Sequence, residues 1–355
     1  MKPKTVLIFI LNGLGGAEKV QIQIAKFLQQ DGWNIHFCSI SYKGNDNIIQ
    51  KYYPDNEKSS SIKFNSQFDF LKQLYHEISI IKPSVVFASA IHINQRLLLL
   101  SPLFPKTKFI VRNDNGLYTI PKQQQLTLRL TYKLADKIIT QTEEMEYELI
   151  SLGIKKVKIQ TLHNPVNIKE IKKKALSYNP YVSNNYKRFV AVGRFAKQKG
   201  FDVLIKAFNL VVEEIPDSEL YIVGDTTYGS SEVANELNEL ISKYQLSGKV
   251  FFPGFQDNPY PYVANANVFV LSSRYEGLPN SLIEALALGK PCAATKCIPI
   301  ISRIIQVGKN GFLATSENPQ ELAEAMISAF KLKDIENTYS PSQDTDFVRL
   351  FNDLI

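Results

Sequence analysis

Two segments of the chain combine residue types that can handle a diphosphate and a sugar. The first reads Gly193-Arg194-Phe195-Ala196-Lys197-Gln198-Lys199-Gly200. It follows a strand-like run and opens a helical pattern, so a helix start with its free N–H groups meets whatever lies beyond the strand. Such a terminus favours a phosphate. Arg194 adds a planar fork and Lys199 a mobile point charge. Together they suit a diphosphate; the same residues also read as a solvated basic turn. The second segment reads Ser272-Ser273-Arg274-Tyr275-Glu276-Gly277-Leu278-Pro279-Asn280-Ser281-Leu282-Ile283-Glu284. It leaves a strand, turns at Gly277 and Pro279, and enters a helix that Gly289 ends. Glu276 is expected in the loop. Glu284 is expected in the first helical turn, where a carboxylate can accept two hydrogen bonds from a vicinal diol such as a ribose. The amides of Asn280, Ser281 and Leu282 are expected to face an anionic group. Plainer alternatives stand beside these readings. Ser281 to Glu284 fits S-x-x-E, a capping box in which Glu284 only satisfies a backbone N–H, and Glu276 reads equally as an exposed loop acid.

These residues need elements to hold them. Apolar runs at residues 5–10, 34–40, 84–88, 108–111, 137–140 and 157–161 read as strands. Helical patterns such as 17–30 and 68–81 fill most of the gaps. The rhythm breaks around 165–187, a stretch with Pro165, Pro180 and the run Lys172-Lys173-Lys174. It restarts with strands at 189–192, 219–223, 249–252 and 267–271. Strands alternating with helices imply parallel sheets covered on both faces. The expected organisation is a first α/β domain over 1–164, a linker at 165–187 and a second α/β domain over 188–335. Residues 336–355 are expected to return to the first domain. Two such sheets in tandem imply an interdomain cleft, a common place for a ligand.

Composition narrows the class. A chain of 355 residues exceeds what one core usually serves. Its 45% hydrophobic and 21% charged content is that of a soluble globular protein. The apolar run at residues 6–11 is short for a signal peptide, and no stretch approaches the roughly 20 residues needed to span a bilayer. The expected location is the cytoplasm. Three scattered cysteines, Cys38, Cys292 and Cys297, give no disulfide framework, and four histidines give no metal spacing. Residues 1–185 hold 25 Lys+Arg against 14 Asp+Glu, while 186–355 hold 16 against 20, or +11 and −4 within the total of +7. A basic half suits an anionic partner surface, nucleic acid or membrane, or is simply a solvated lysine-rich face.

Taken in order, the motifs resemble glycosyltransferase family 4, with the GT-B fold of two Rossmann-like parallel-sheet domains facing across a cleft. Gly193-Arg194 with Lys199-Gly200, Gly224-Asp225, Gly254-Phe255 and the E-x7-E pair Glu276/Glu284 carry the likeness over residues 186–314. Gly15-Gly16-Ala17-Glu18 and Asn164-Pro165-Val166 extend it more weakly to residues 1–165. The resemblance implies a retaining transferase. Arg194 and Lys199 would neutralise the donor diphosphate, Glu284 would bind the ribose and Glu276 the transferred sugar. Gly16, Gly224, Asn280, Ser281 and Leu282 would complete the donor site. His92, in Ala90-Ile91-His92-Ile93-Asn94, would join Glu276 as a catalytic candidate near the donor sugar; otherwise it is a core-edge histidine. No cofactor or divalent metal is implied, because basic residues and helix dipoles supply the charge. Asp344-Thr345-Asp346 reads as an incidental DxD in a polar tail. One departure stands out: the family's Gly/Pro-rich loop ending in Glu reads Cys297 to Ile305 here, with Arg303 at the Glu position, although Gly308-Lys309-Asn310-Gly311 is intact.

The resemblance implies transfer of a hexose or N-acetylhexosamine from a nucleotide-sugar, with UDP favoured, to a glycan or lipid-linked acceptor in polysaccharide, lipopolysaccharide or glycolipid synthesis. The basic first domain suits peripheral attachment to the inner face of the cytoplasmic membrane. There Lys122, Arg129, Lys133 and Lys137 interleave with Leu126, Leu128, Leu130 and Leu134. Alternatives are a catalytically idle nucleotide-sugar-binding subunit, a sugar-nucleotide epimerase and, weakest, a dinucleotide oxidoreductase, for which residues 12–16 lack the full GxGxxG.

Overall fold

A computed structural model of the chain describes residues 4–12, 15–41, 49, 53, 58–183, 185–226, 229–336, 339 and 341–355. Gly13 and Leu14, in the glycine-rich turn, lie outside the described residues. Two compact units emerge: Met1–Pro165 with Pro341–Ile355, and Val166–Ser340.

The first unit is a seven-stranded sheet: β1 (Thr5–Leu11), β2 (Asn34–Ile40), β3 (Ser59–Ile62), β4 (Val85–Ala88), β5 (Lys108–Asn113), β6 (Lys137–Thr140) and β7 (Ile159–Thr161). Its order is β3-β2-β1-β4-β5-β6-β7 and every pairing is parallel. Val6 to Ile10 are fully buried, as a strand covered on both faces requires. Helix α1 (Gly16–Gln30) and the C-terminal helix Asp344–Asn352 cover one face. Helices α2 (Gln67–Ile81), α3 (Ile91–Leu100), α4 (Lys122–Tyr132) and α5 (Glu143–Ser151) cover the other. The residues read as a polar tail therefore belong to a core: Phe351 meets Trp33 edge-on at 6.0 Å and Phe87 at 5.5 Å. The DxD opens that last helix, where Asp346 accepts from the Gln343 N–H at 2.9 Å in a capping box.

The second unit begins inside the stretch expected as a linker. Helix α6 (Ile168–Ala175) is capped by Asn167, which accepts from the Glu170 N–H at 3.0 Å, and it buries Ile171 and Ala175. The lysine run is its exposed last turn, with Lys174 paired to Glu170 at 2.6 Å. Then come β8 (Lys187–Val192), α7 (Phe201–Glu214), β9 (Ser218–Val223), α8 (Ser231–Lys243), β10 (Val250–Phe251), α9 (Tyr260–Asn265), β11 (Val268–Leu271), α10 (Asn280–Ala287), β12 (Cys292–Thr295), α11 (Ile301–Ile304), β13 (Gly311–Ala314) and α12 (Pro319–Lys331). The parallel order is β10-β9-β8-β11-β12-β13. Charges recounted by unit give 22 Lys+Arg against 16 Asp+Glu in the first (+6) and 19 against 18 in the second (+1).

Strand order reverses between β1 and β4 in the first unit and between β8 and β11 in the second. The carboxyl ends of strands at such a reversal are where doubly wound sheets bind ligands.

Candidate active site

Both motifs leave the second sheet at its reversal. The 193–200 segment follows β8, and the 272–284 segment follows β11, its neighbour (Phe269↔Val190). Lys197–Lys199 form one 3-10 turn, and Gly200 is left-handed at φ 61°. A Cβ on Gly200 would lie 2.2 Å from the Ser272 carbonyl oxygen, so only glycine permits this approach. The contact is then laced. Ser272 Oγ donates to the Lys199 carbonyl at 2.8 Å, the Arg274 N–H to the Gln198 carbonyl at 2.8 Å and Gln198 Nε2 to the Tyr275 carbonyl at 3.0 Å. Arg274 clamps the whole. It donates to the Lys197 carbonyl at 2.7 Å, to both oxygens of Asp202 at 2.8 and 2.9 Å, and to Glu317.

This lacing brings Lys199 Nζ to 2.7 Å from Glu276 Oε1, across 77 positions of sequence. Ser273 Oγ donates to the same oxygen at 2.6 Å. Thr295 Oγ1 holds the Ser273 carbonyl at 2.6 Å. Glu276 is only 7% exposed, which removes its reading as a loop acid on the surface. Cys297 borders the pair; burial, reinforced by the Glu276 charge, pushes its thiol up to about 12. Arg194 stands exposed, its Nη2 3.0 Å from Gln198 Oε1. Gly224 has a steric part. Its N–H goes to the Gly254 carbonyl at 3.0 Å, and an added Cβ would lie 1.9 Å from the Gly193 oxygen, so it lets β9 end against the backbone of the 193–200 segment.

Helix α10 corrects two expectations. Its N-cap is Pro279, without a side-chain capping bond, so Ser281 lies inside the helix and the capping box with Glu284 does not form. Glu284 is the fifth helical residue and accepts from the Tyr260 hydroxyl at 3.3 Å. The Leu282 N–H turns back to the Pro279 carbonyl at 3.1 Å and its side chain is fully buried, leaving the helix start to Asn280 and Ser281. The atypical loop also has a physical account. Ile298, Ile300, Ile301, Ile304 and Ile305 are buried, so apolar packing holds α11 where glycines are missing; Arg303 is exposed. Asn310 is fully buried and ties the loop's end, accepting from the Gln306 N–H at 2.8 Å and donating to the Ile304 carbonyl at 2.9 Å.

In the first unit, Gly16 is the first residue of α1, after β1, and His92 the second of α3, after β4. These strands pair directly (Phe9↔Ala88), so both residues flank that sheet's reversal. Burial first, then the Arg96 charge, lowers the His92 pKa, which keeps the imidazole neutral near pH 7. Sequence reasoning missed the supporting residues: Tyr260, Ser273, Arg274 and Thr295. Ser273 and Arg274 lie within the 272–284 motif, whereas Tyr260 shows only as part of Pro259-Tyr260-Pro261-Tyr262. It also missed Arg112, fully buried at the end of β5, whose guanidinium donates to Ser89 Oγ at 3.3 Å and to Asn164.

Residues 14–170 match the family described as Glycosyltransferase Family 4 and residues 173–342 that described as Glycosyl transferases group 1. An uncharacterized glycosyltransferase of Methanocaldococcus jannaschii is 35% identical over 273 residues, 68% of this chain and 65% of that protein. One of Haemophilus influenzae is 28% identical over 338 residues, covering 91% and 89%. The lipopolysaccharide core biosynthesis glycosyltransferase LpsE of Rhizobium meliloti is 29% identical over 199 residues, 54% of each chain. The fold is that of Anabaena HepE, solved in complex with UDP (TM-score 0.76, 16% identity, 99% of this chain and 98% of that one) and with UDP-glucose (TM-score 0.74, 18% identity, 98% of each). With two doubly wound parallel sheets, and family matches running through both units, this chain belongs to glycosyltransferase family 4 and is a GT-B glycosyltransferase.

Proposed function

We propose that the chain moves a hexose or N-acetylhexosamine from a UDP-sugar, with retention of anomeric configuration, to a glycan or lipid-linked acceptor in surface polysaccharide or glycolipid assembly. The observation that carries this reading is the Lys199–Glu276 pair at 2.7 Å, braced at the strand ends beside exposed Arg194 and the Glu284 helix. The choice of uracil follows the UDP bound by HepE, and the acceptor class follows the R. meliloti relative.

In this reading the donor's C1–O bond breaks with its electron pair leaving on the diphosphate, the acceptor hydroxyl oxygen bonds to C1 on the same face, and its proton passes to the departing diphosphate. Arg194 and Lys199 stabilise that charge, as fixed cations and helix-start amides do when aimed at a developing anion. As Lys199 turns toward phosphate, Glu276 gives up a donor while buried. Ser273 keeps its bond to the carboxylate, and hydroxyls of the transferred sugar replace the donor that the lysine withdraws. Glu284, steadied by Tyr260, accepts from the ribose diol. Neutral His92 and the Gly16 amide are assigned to the sugar and acceptor side. Since side chains supply the positive charge, the rate should be insensitive to EDTA.

The test is release of nucleoside diphosphate from a panel of sugar nucleotides. Slow release without acceptor, faster with it and unchanged by EDTA, supports the reading. Tight binding with no release from any donor would instead favour an idle binding subunit.

A further inference from the structure

The carboxyl ends of the first sheet carry a buried polar network that the donor chemistry does not use. Arg112, Asn113, Asn94, Tyr132, Ser89 and Asn164 are each at most 2% exposed. Asn94 Nδ2 donates to the Arg112 carbonyl at 3.0 Å and to the Tyr132 hydroxyl at 3.1 Å. The Arg112 guanidinium donates to Ser89 and Asn164. Asn113 Nδ2 donates to the Asn115 carbonyl at 2.8 Å, and Glu148 of α5 accepts from the Leu117 N–H at 2.7 Å. The turn that follows β5 is therefore pinned at both ends. Buried polar networks of this kind fix a single arrangement of the groups they hold.

The group held in the middle of this turn is Asp114, which keeps part of its surface open to solvent. Strand β5 pairs with β4 (Ala88↔Val111), and the helix after β4 carries His92, so Asp114 lies one strand from the reversal. The plain reading makes Asp114 the counter-charge of Arg112. Yet among the described residues no hydrogen bond joins the two: the Arg112 bonds go to neutral oxygens, and Asp114 accepts from Asn115 Nδ2 at 3.2 Å. Burial pushes the Asp114 carboxyl up to about 6, and the Arg112 charge offsets this only in part. A carboxyl raised from 3.8 adds stability at low pH and has lost it once pH rises through the folded value. At pH 7 the network thus holds an ionised group that weakens the fold, which suits a binding group better than a brace. Glu18, in the first turn of α1, acts on the same guanidinium, so two carboxylates answer one cation. That balance repels a phosphate and favours hydroxyl donors.

We infer that Asp114 accepts hydrogen bonds from hydroxyls of the acceptor sugar, with Arg112 as the positioning residue that fixes its turn. The inference rests on the proposed transferase reading for the nature of the ligand, and it adds to that reading a named carboxylate on the first unit.

The test is saturation-transfer NMR on the full chain with a panel of methyl hexosides and methyl N-acetylhexosaminides, UDP being present in excess. The parent should bind at least one glycoside. Asp114→Asn and Asp114→Ser should each weaken that binding at least tenfold while keeping the parent's thermal shift with UDP. Inorganic pyrophosphate should not displace the glycoside. Asp114→Asn should melt at or above the parent's temperature at pH 7, where a carboxylate of purely structural use would make it melt lower. Glu276→Gln is measured alongside, because a loss confined to it would place the glycoside at the donor-sugar end and overturn the inference. So would a parent that binds no glycoside, binding undiminished in both Asp114 variants, displacement by pyrophosphate, or a lower melting temperature for Asp114→Asn. The two readings fail separately. A chain that binds glycoside through Asp114 but binds no UDP faults the donor reading, whereas UDP binding beside glycoside binding indifferent to Asp114 faults this one.

Discussion

At the scale of single residues, the Lys199–Glu276 contact makes a prediction that a loose surface pair would not. Surface pairs contribute about 0–1 kcal/mol. Here Glu276 is buried while Lys199 keeps some exposure. Lys199→Ala should therefore cost on the order of 2 kcal/mol, below the roughly 3–5 kcal/mol seen when a fully buried pair is broken. Adding Glu276→Gln should recover most of that stability while sugar transfer stays absent. Denaturant unfolding and a turnover assay on the two variants check both halves. His92 gives a pH prediction. Its folded pKa lies below 6.5, so the unfolded chain binds its proton first as pH falls. Stability from this residue is intact above 6.5 and declines as pH drops below it; His92→Gln should lack that decline. If transfer uses the neutral imidazole, its rate should hold level from pH 8 to 6.5.

At the scale of elements, the site depends on the brace between two strand-end loops. Arg274 ties together the loops that carry Lys199 and Glu276. Arg274→Lys keeps charge and loses the bidentate fork, so transfer should drop about tenfold or more with the fold retained. For Asp202, burial pushes the carboxyl up, but the Arg274 hydrogen bonds and charge outweigh it and hold the group below its ordinary 3.8. The brace is thus fully formed above pH 3.8 and lost as pH falls through the depressed value; the stability gap between Arg274→Ala and the parent should close over that range. Much of this scale was legible in sequence. Both motifs, the strand starts and the two-sheet rhythm follow from apolar runs and turn residues. The edge strand Ser59–Ile62 was not, because serines show no apolar alternation. Cys292–Thr295 was missed for a related reason: its small residues pack beneath α12 and carry little strand signal. The brace was hidden because its partners lie some 70 positions apart, and Glu284 looked like a capping residue because S-x-x-E cannot reveal that Pro279 already caps the helix.

At the scale of the molecule, the chain order and the units differ: residues 341–355 leave the second unit's sequence and complete the first unit's core. Phe351→Ala should cost about 3–5 kcal/mol, as emptying a fully buried aromatic site does. Hydrogen exchange should then show the β1–β4 amides opening while the β8–β11 amides keep their protection. In the proposed function the second unit holds the donor with divided labour, Glu284 on the nucleoside and Glu276 on the sugar. Thermal shift with UDP and with a UDP-sugar tests it most directly, since a ligand at a hundred times its dissociation constant adds about 2.7 kcal/mol. Glu284→Ala should lose the stabilisation by both ligands, whereas Glu276→Ala should lose the extra stabilisation by the UDP-sugar and keep that by UDP. Equal losses for both ligands in both variants, or none in either, would rule out that division between the two glutamates.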